Sequence, residues 1–317
     1  MPKQKIEKVA FPTARDLLQA IAPRDGLFDG ENGHWIFRGH GSNKYTLLAD
    51  ACRPNQLARL YSLAGKDPSS EDTLGRRVNA EVRVLHSFLN RCDRLGMNTP
   101  GNVESFRRWM WGKVGDESGL GAWTIDNWPP PDVYQLMALA RHYGLPTRLL
   151  DWTESSFIAA FFATESAIGK IAKGKPSSDQ IQIWALKSEV VNAFHYGQGY
   201  VDQVLQIVRV PTSVNKYLLA QRGCFTMCRP SRNLDDRIPL DVFLENTTFP
   251  NIQSVPLPWL YQLSLPYTEA KECYNLLRKE GYSLEMIKPD YSGIAEAMES
   301  EAELYRKDCK RKPRRKK

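Results

Sequence analysis

Positions 142–153 bring together an imidazole (His142), a phenol (Tyr143), two hydroxyls (Thr147, Thr153), a guanidinium (Arg148) and a carboxylate (Asp151). Gly144 and Pro146 are the only turn formers in residues 139–163, so the stretch reads as helix end, tight turn, short strand and new helix. Polar side chains on a strand between two helices line a cleft; an apolar core alone would not call for that mixture. Two more candidates stand at strand ends. Arg38 follows Trp35-Ile-Phe37, and Gln221 enters Gln221-Arg-Gly-Cys-Phe-Thr226. A metal-dependent nuclease built on Asp151 and Arg148 lacks a second carboxylate at fixed spacing to share its metal. Plain structural roles stand beside the chemical ones: a surface ion pair for Arg38, a buried Asp151–Arg148 pair, core packing for Tyr143 and a helix cap for Thr153.

The elements around these residues follow from period and punctuation. Trp35-Ile36-Phe37 has strand propensity and is ended by Gly39 and Gly41. Val78, Val82, Leu85, Phe88, Leu89, Cys92 and Leu95 recur at three and four, the pattern of an amphipathic helix over 78–95. Residues 96–131 form a loop-rich insertion carrying Trp109, Trp111, Trp123 and Trp128, a satellite core or a base-stacking platform. Asp132 is a suitable N-cap for a helix over 133–143, with Val133, Leu136, Met137 and Ala140 inward and Gly144 closing it. Leu149 and Leu150 run as a strand to Asp151. Thr153 then caps a helix whose Phe157, Ile158, Ala159, Ala160, Phe161, Phe162 and Ala163 require burial.

Downstream, 180–186, 206–210 and 259–265 read as strands, and 215–220 as a helical turn or loop. Thr268 caps a helix to Glu280, closed by Gly281, and a last helix covers about 292–305. The expected fold class is mixed α/β or α+β, one mainly antiparallel sheet flanked by helices, in a single domain over 1–305.

Composition fits a globular protein: 317 residues, 42% hydrophobic and 25% charged. No run of eighteen apolar residues exists, and the N-terminal residues lack the apolar core of a secretory signal, so a cytoplasmic protein without membrane partners is expected. The net charge of +7 is uneven. Residues 306–317 hold nine basic residues and one acid, net +8, leaving −1 for the other 305. That tail, with Lys310, Arg311, Lys312, Arg314 and Arg315, reads as disordered and able to hold a nucleic-acid backbone by counterion release. It suits a solubilising end or an acidic partner as well. Six scattered cysteines, of which only Cys224 and Cys228 lie close, argue for reduced thiols rather than a zinc site, and no metal is expected. Walker A, GxGxxG, HExxH, GxSxG and EF-hand signatures are all missing from the sequence.

Three segments together resemble the FRG domain, a family named for its Phe-Arg-Gly signature: Trp35-Ile-Phe-Arg-Gly39, Arg141-His-Tyr-Gly-Leu-Pro-Thr-Arg-Leu-Leu-Asp-Trp-Thr153 with the helix after it, and Gln221-Arg-Gly-Cys-Phe-Thr226. Ile287-Lys-Pro-Asp-Tyr-Ser-Gly-Ile294 is similar to that family's ending. The resemblance spans about residues 30–298, the Trp-rich insertion excepted.

A second resemblance is to the arginine-class ADP-ribosyltransferases. Phe37-Arg38-Gly39 is similar to their first strand end, Asp151-Trp-Thr153 with Ala160 and Phe161 to their second element, and Gln221-Arg-Gly-Cys-Phe225 to the third. It implies that fold and an NAD-dependent enzyme, with NAD as substrate and a macromolecule, RNA included, as acceptor. A role as toxin or phage-defence effector would bring a neutralising antitoxin protein.

The chemistry is cleavage of the nicotinamide–ribose bond through an oxocarbenium-like species, as in glycoside hydrolysis. On this resemblance Arg38, Tyr143, Thr153 and Gln221 are the catalytic candidates, and Arg38, Gly39, His142, Tyr143, Thr147, Arg148 and Asp151 hold NAD. Arg38 takes the pyrophosphate as a bidentate donor, His142 or Tyr143 the nicotinamide end, and Gln221 the ribose, while Thr153 orients the neighbouring loop. One departure stands out: Gln221 is a neutral amide where that family has a carboxylate. Losing one preorganised electrostatic group commonly raises a barrier by about 2.7–4 kcal/mol. Asp151 substitutes if it faces the same cleft; otherwise the domain is a nucleotide- or nucleic-acid-binding module without turnover.

Overall fold

The computed structural model describes residues 4–29, 34–69, 71–101, 104, 106, 107, 128–172, 179–196, 204–214, 216–230, 235–248 and 252–311. Strand β1 (Ile6–Ala10) and helix α1 (Ala14–Ala20) lead to β2 (Trp35–His40), α2 (Pro54–Leu63) and α3 (Leu74–Arg94). Then come α4 (Tyr134–His142), β3 (Leu149–Thr153), α5 (Ser156–Ala172), β4 (Gln180–Lys187), α6 (Ser188–Tyr196) and β5 (Leu205–Val208). Next are α7 (Lys216–Ala220), β6 (Gly223–Cys228), α8 (Leu240–Asn246) and β7 (Leu260–Pro266), and the chain closes with α9 (Ala270–Lys279), α10 (Leu284–Ile287) and α11 (Tyr291–Arg311).

The strands form one seven-stranded sheet in the order β1-β7-β4-β2-β3-β6-β5. Among the described strand pairs only β1–β7 is parallel, so the expected mixed, mainly antiparallel sheet is present. Helices cover both faces because the strands alternate. Ile181, Ile183 and Ala185 of β4 pack with α5 and α9 on one face. Trp184 and Leu186 pack with Val190, Val191 and Phe194 of α6 on the other. A third cluster sets Val78, Val82 and Leu85 of α3 and Leu136 and Met137 of α4 against Leu149, Phe225 and Met227. Full burial of each Val, Leu, Ile, Phe or Met side chain in these clusters contributes about 1.5–3 kcal/mol.

Several terminal residues depart from expectation. A 3-10 turn at Pro131–Val133 begins the winding, and α4 then starts behind Val133 with no side-chain cap bond, so Asp132 is not the cap. Thr153 belongs to β3, and Ser155 takes the capping position of α5, its Oγ accepting the Ile158 N–H at 3.4 Å. Thr268 lies inside a 3-10 turn and does not cap α9. Leu95 is 75% exposed because α3 ends at Arg94.

Of the tryptophans in the insertion, Trp128 is fully buried and donates to Glu81 at 3.1 Å, and the other three lie outside the described residues. The basic tail was expected to be disordered from residue 306, but α11 carries the chain through Lys310 and Arg311, since the Glu-, Ala-, Leu- and Lys-rich sequence keeps its helix propensity. Lys312, Arg314 and Arg315 lie outside the described residues. No helix among the described residues is long and apolar enough to cross a membrane.

Candidate functional site: a cleft where the sheet divides

The centre of the sheet is unevenly laced. Strand β2 makes six residue pairs with β4, and β3 makes five with β6. Between them, β2 and β3 share a single pair, Phe37 with Thr153. Beyond it the strands part, and the gap opens into a cleft of about 370 Å³ lined by Phe37, Arg38, Gly39, Asp151, Trp152, Thr153, Phe162, Glu165, Ser166 and Gln221. That volume falls within the roughly 300–1,000 Å³ common for small-molecule sites.

Two things hold the gap in shape. The first is Gly39. A Cβ at this position would stand 1.9 Å from the Ala159 carbonyl oxygen, so helix α5 lies directly on the naked strand backbone. That contact brings Phe162, Glu165 and Ser166, neighbours at spacings of three and four on one helix face, over the gap. The second is Arg38. Its Nη1 donates 2.6 Å to the Asp151 carbonyl, a main-chain acceptor facing the parted strands, and lies 3.5 Å from the Asp151 carboxylate. Its Nε lies 3.0 Å from His40 Nε2, while Nη2 has no partner among the described residues.

A chain of alternating charge runs back from the cleft. Arg141 grips the Asp151 carboxylate through Nη2 at 2.7 Å and Nε at 3.1 Å, and its Nη1 donates to Asp50. Asp50 in turn pairs with Arg53 at 3.0 Å. Burial alone would raise the Asp151 carboxyl, but Arg141 and Arg38 outweigh it and hold the group at about 2. Arg38 moves the other way. Burial and the nearby Arg141 and Arg53 lower its pKa, against the pull of Asp151. Three guanidiniums against two carboxylates leave this chain at net +1, with Arg38 at its cleft end. A bound anion would relieve the very forces that disfavour the charged form of Arg38.

Thr153 closes the far side. Its hydroxyl donates 2.7 Å to the Gln221 carbonyl and accepts the Ser155 N–H at 3.1 Å, fastening the end of β3 to the turn before β6. The Gln221 side chain lines the cleft, and its Nε2 lies 3.4 Å from the Ile287 carbonyl. Among the expected site residues the fold therefore gathers Arg38, Gly39, Asp151, Thr153 and Gln221 around one space.

The others lie elsewhere. His142 lines a smaller adjoining pocket that shares Asp151, Trp152 and Gln221 with the cleft, and its ring centre lies 4.3 Å from that of Tyr217 at a tilt of 38°. Tyr143 is 66% exposed beside it, not core and not in the cleft. Thr147 and Arg148 are withdrawn into the protein. The Thr147 carbonyl accepts the Ala51 N–H, and Arg148 is fully buried against Glu81, through Nε at 2.8 Å and Nη2, and against Asp236 at 3.5 Å. Asp151 is thus paired with Arg38 and Arg141, and not with Arg148. The Cys224 and Cys228 thiols are both pushed up to about 12 by burial.

Sequence reasoning passed over Arg141, Phe162, Glu165 and Ser166. Arg141 opens the motif already quoted, ten residues before its partner. Glu165 is a charged residue that α5 brings to the cleft lining, just beyond the helix's apolar run.

No curated protein and no solved structure matches the chain. Gln221 lies outside the one segment that matches a family model. Residues 33–170, which hold the Phe37-Arg38-Gly39 strand end, the segment from Arg141 to Thr153 and most of α5, match the FRG domain, so the chain carries an FRG domain whose signature arginine and glycine shape the cleft.

Proposed function

We propose that the FRG cleft binds NAD and that the chain is an NAD-dependent ADP-ribosyltransferase-like enzyme acting on a macromolecule. The observation that carries this reading is the convergence of Arg38, Asp151, Thr153 and Gln221 on one gap in the sheet, with Nη2 of Arg38 unpartnered among the described residues. In this reading Arg38 takes the pyrophosphate, the Gln221 amide a ribose hydroxyl, and Thr153 fixes the turn that presents Gln221. The acceptor is nucleic acid, RNA first. It would meet the basic residues of the C-terminal tail and the exposed ring of Tyr143 beside the His142–Tyr217 pair, since exposed aromatic rings serve as platforms for unpaired bases.

The test is incubation of the full chain with labelled NAD and RNA, DNA or cell lysate. Label transfer and nicotinamide release are expected, and both disappear in Arg38→Ala. No release and no transfer with any acceptor ends the reading.

A second reading, a nucleotide-binding module without turnover, is favoured by the neutral Gln221 and by the compensation of Asp151 by two arginines. It predicts saturable NAD binding and no nicotinamide.

A further inference from the structure

We propose that Glu165 is the carboxylate that faces the reacting sugar in this cleft, stabilising the cation formed at the ribose C1′ and taking the proton of the attacking group. The assignment rests on the NAD-dependent reading above. It concerns a residue on a helix, remote in sequence from the strand positions that suggested that reading.

Cleaving a glycosidic bond through an oxocarbenium-like species needs negative charge near C1′. Gln221 has none to give. The cleft has two acids among its lining residues, Asp151 and Glu165. Asp151 is gripped by Arg141 and bonded to Arg38, the residue that takes the pyrophosphate in this reading, so it stands at the phosphate end and not at C1′. Glu165 approaches from the opposite element: α5 lies over the parted strands and offers Glu165 one turn beyond Phe162, on the face that covers the gap. The contact of Gly39 with Ala159 sets how far that face stands from Arg38.

The step is balanced with groups the site would hold. The bond between C1′ and the nicotinamide nitrogen breaks, and its electron pair leaves with nicotinamide, quenching the pyridinium charge. C1′ becomes the cationic centre facing Glu165. A hydroxyl of the acceptor, or water, forms the new C1′–O bond, and its proton passes to a Glu165 carboxylate oxygen and then to solvent.

Nicotinamide release by the full chain, with and without RNA, is compared for wild type, Glu165→Gln and Glu165→Asp, with NAD affinity measured by calorimetry. Glu165→Gln is expected to slow release on the order of 10²–10³-fold, the usual effect of losing one preorganised electrostatic group. NAD affinity should stay within about 3-fold, because an interaction made in the transition state leaves ground-state binding alone. Glu165→Asp, which keeps the charge, should recover part of the rate. Release by Glu165→Gln within about 3-fold of wild type overturns the assignment and leaves the NAD-dependent reading standing. A fall in affinity that matches the fall in rate overturns it too, since it marks a binding role. A wild-type chain that binds NAD but releases no nicotinamide overturns the enzymatic reading itself, and the assignment with it.

Discussion

Arg38 donates from Nη1 to the main-chain carbonyl of Asp151 at 2.6 Å, across the one place where the central sheet has lost its ladder. A side chain thus takes over a bond that a neighbouring strand would otherwise supply. The same guanidinium holds the two strands at a set distance, lines the cleft, and keeps Nη2 without a partner among the described residues.

Arg38→Lys is therefore not a mild change. A lysine ammonium lacks the planar fork and cannot reach Asp151 and a ligand anion together. Hydrogen bonds to charged groups are worth about 1.5–3 kcal/mol each, so NAD affinity should fall on the order of 10- to 150-fold. Calorimetric titration of the folded variant measures this. Affinity within a factor of two of wild type would place the pyrophosphate elsewhere.

The Asp151 carboxyl gives a pH dependence with a defined sign. Its folded value, about 2, lies below the ordinary carboxylate value of 3.8. Its contribution to stability is accordingly complete above about 4 and is lost as pH falls towards 2. Urea denaturation of wild type and Asp151→Asn at several pH values should show the wild-type advantage constant near neutrality and narrowing through that window. A gap that stays constant down to pH 2 would mean that the two arginines do not hold the carboxylate.

Arg148 and Glu81 make a buried bidentate pair away from the cleft, with side-chain exposures of 0% and 3%. Arg148→Met leaves Glu81 buried with its arginine gone, and breaking such a pair typically costs about 3–5 kcal/mol. Denaturant midpoints should drop accordingly, while the fraction that remains folded keeps its NAD affinity. A selective loss of affinity without loss of stability would return Arg148 to the site.

Gly39→Ala places a methyl group against the backbone of α5 at Ala159. Overpacking of this kind costs about 1–3 kcal/mol, and the helix can escape it only by lifting off the strand. A lowered melting temperature together with weakened NAD binding is the expected pair of results. An unchanged melting temperature would show that the helix can shift freely.

The elements around the cleft were readable where one period dominates. The stripe of Leu136, Met137 and Ala140 marks α4, the alternation of 180–186 marks β4, and the apolar run 157–163 marks α5 as central. Strand β1 escaped because only Ile6 of its five residues is buried, and its place in the sheet comes from parallel pairing with β7, some 250 residues away. Arg38, Asp151, Thr153 and Gln221 could be picked out as polar residues at strand ends. Their convergence depends on strand order, which local pattern does not carry. Arg148 misled for the same reason: Asp151 lies three residues on, but the carboxylates that hold Arg148 arrive from positions 81 and 236. Glu165 was hidden by its helix, because a run that asks for burial says little about which of its turns passes over a gap.

The lone Phe37–Thr153 rung divides the seven strands into a block of four and a block of three. A molecule seated in that notch touches both blocks and acts as mortar along the seam. Occupancy should therefore slow amide hydrogen exchange in β4 and in β6 alike, although neither strand borders the other.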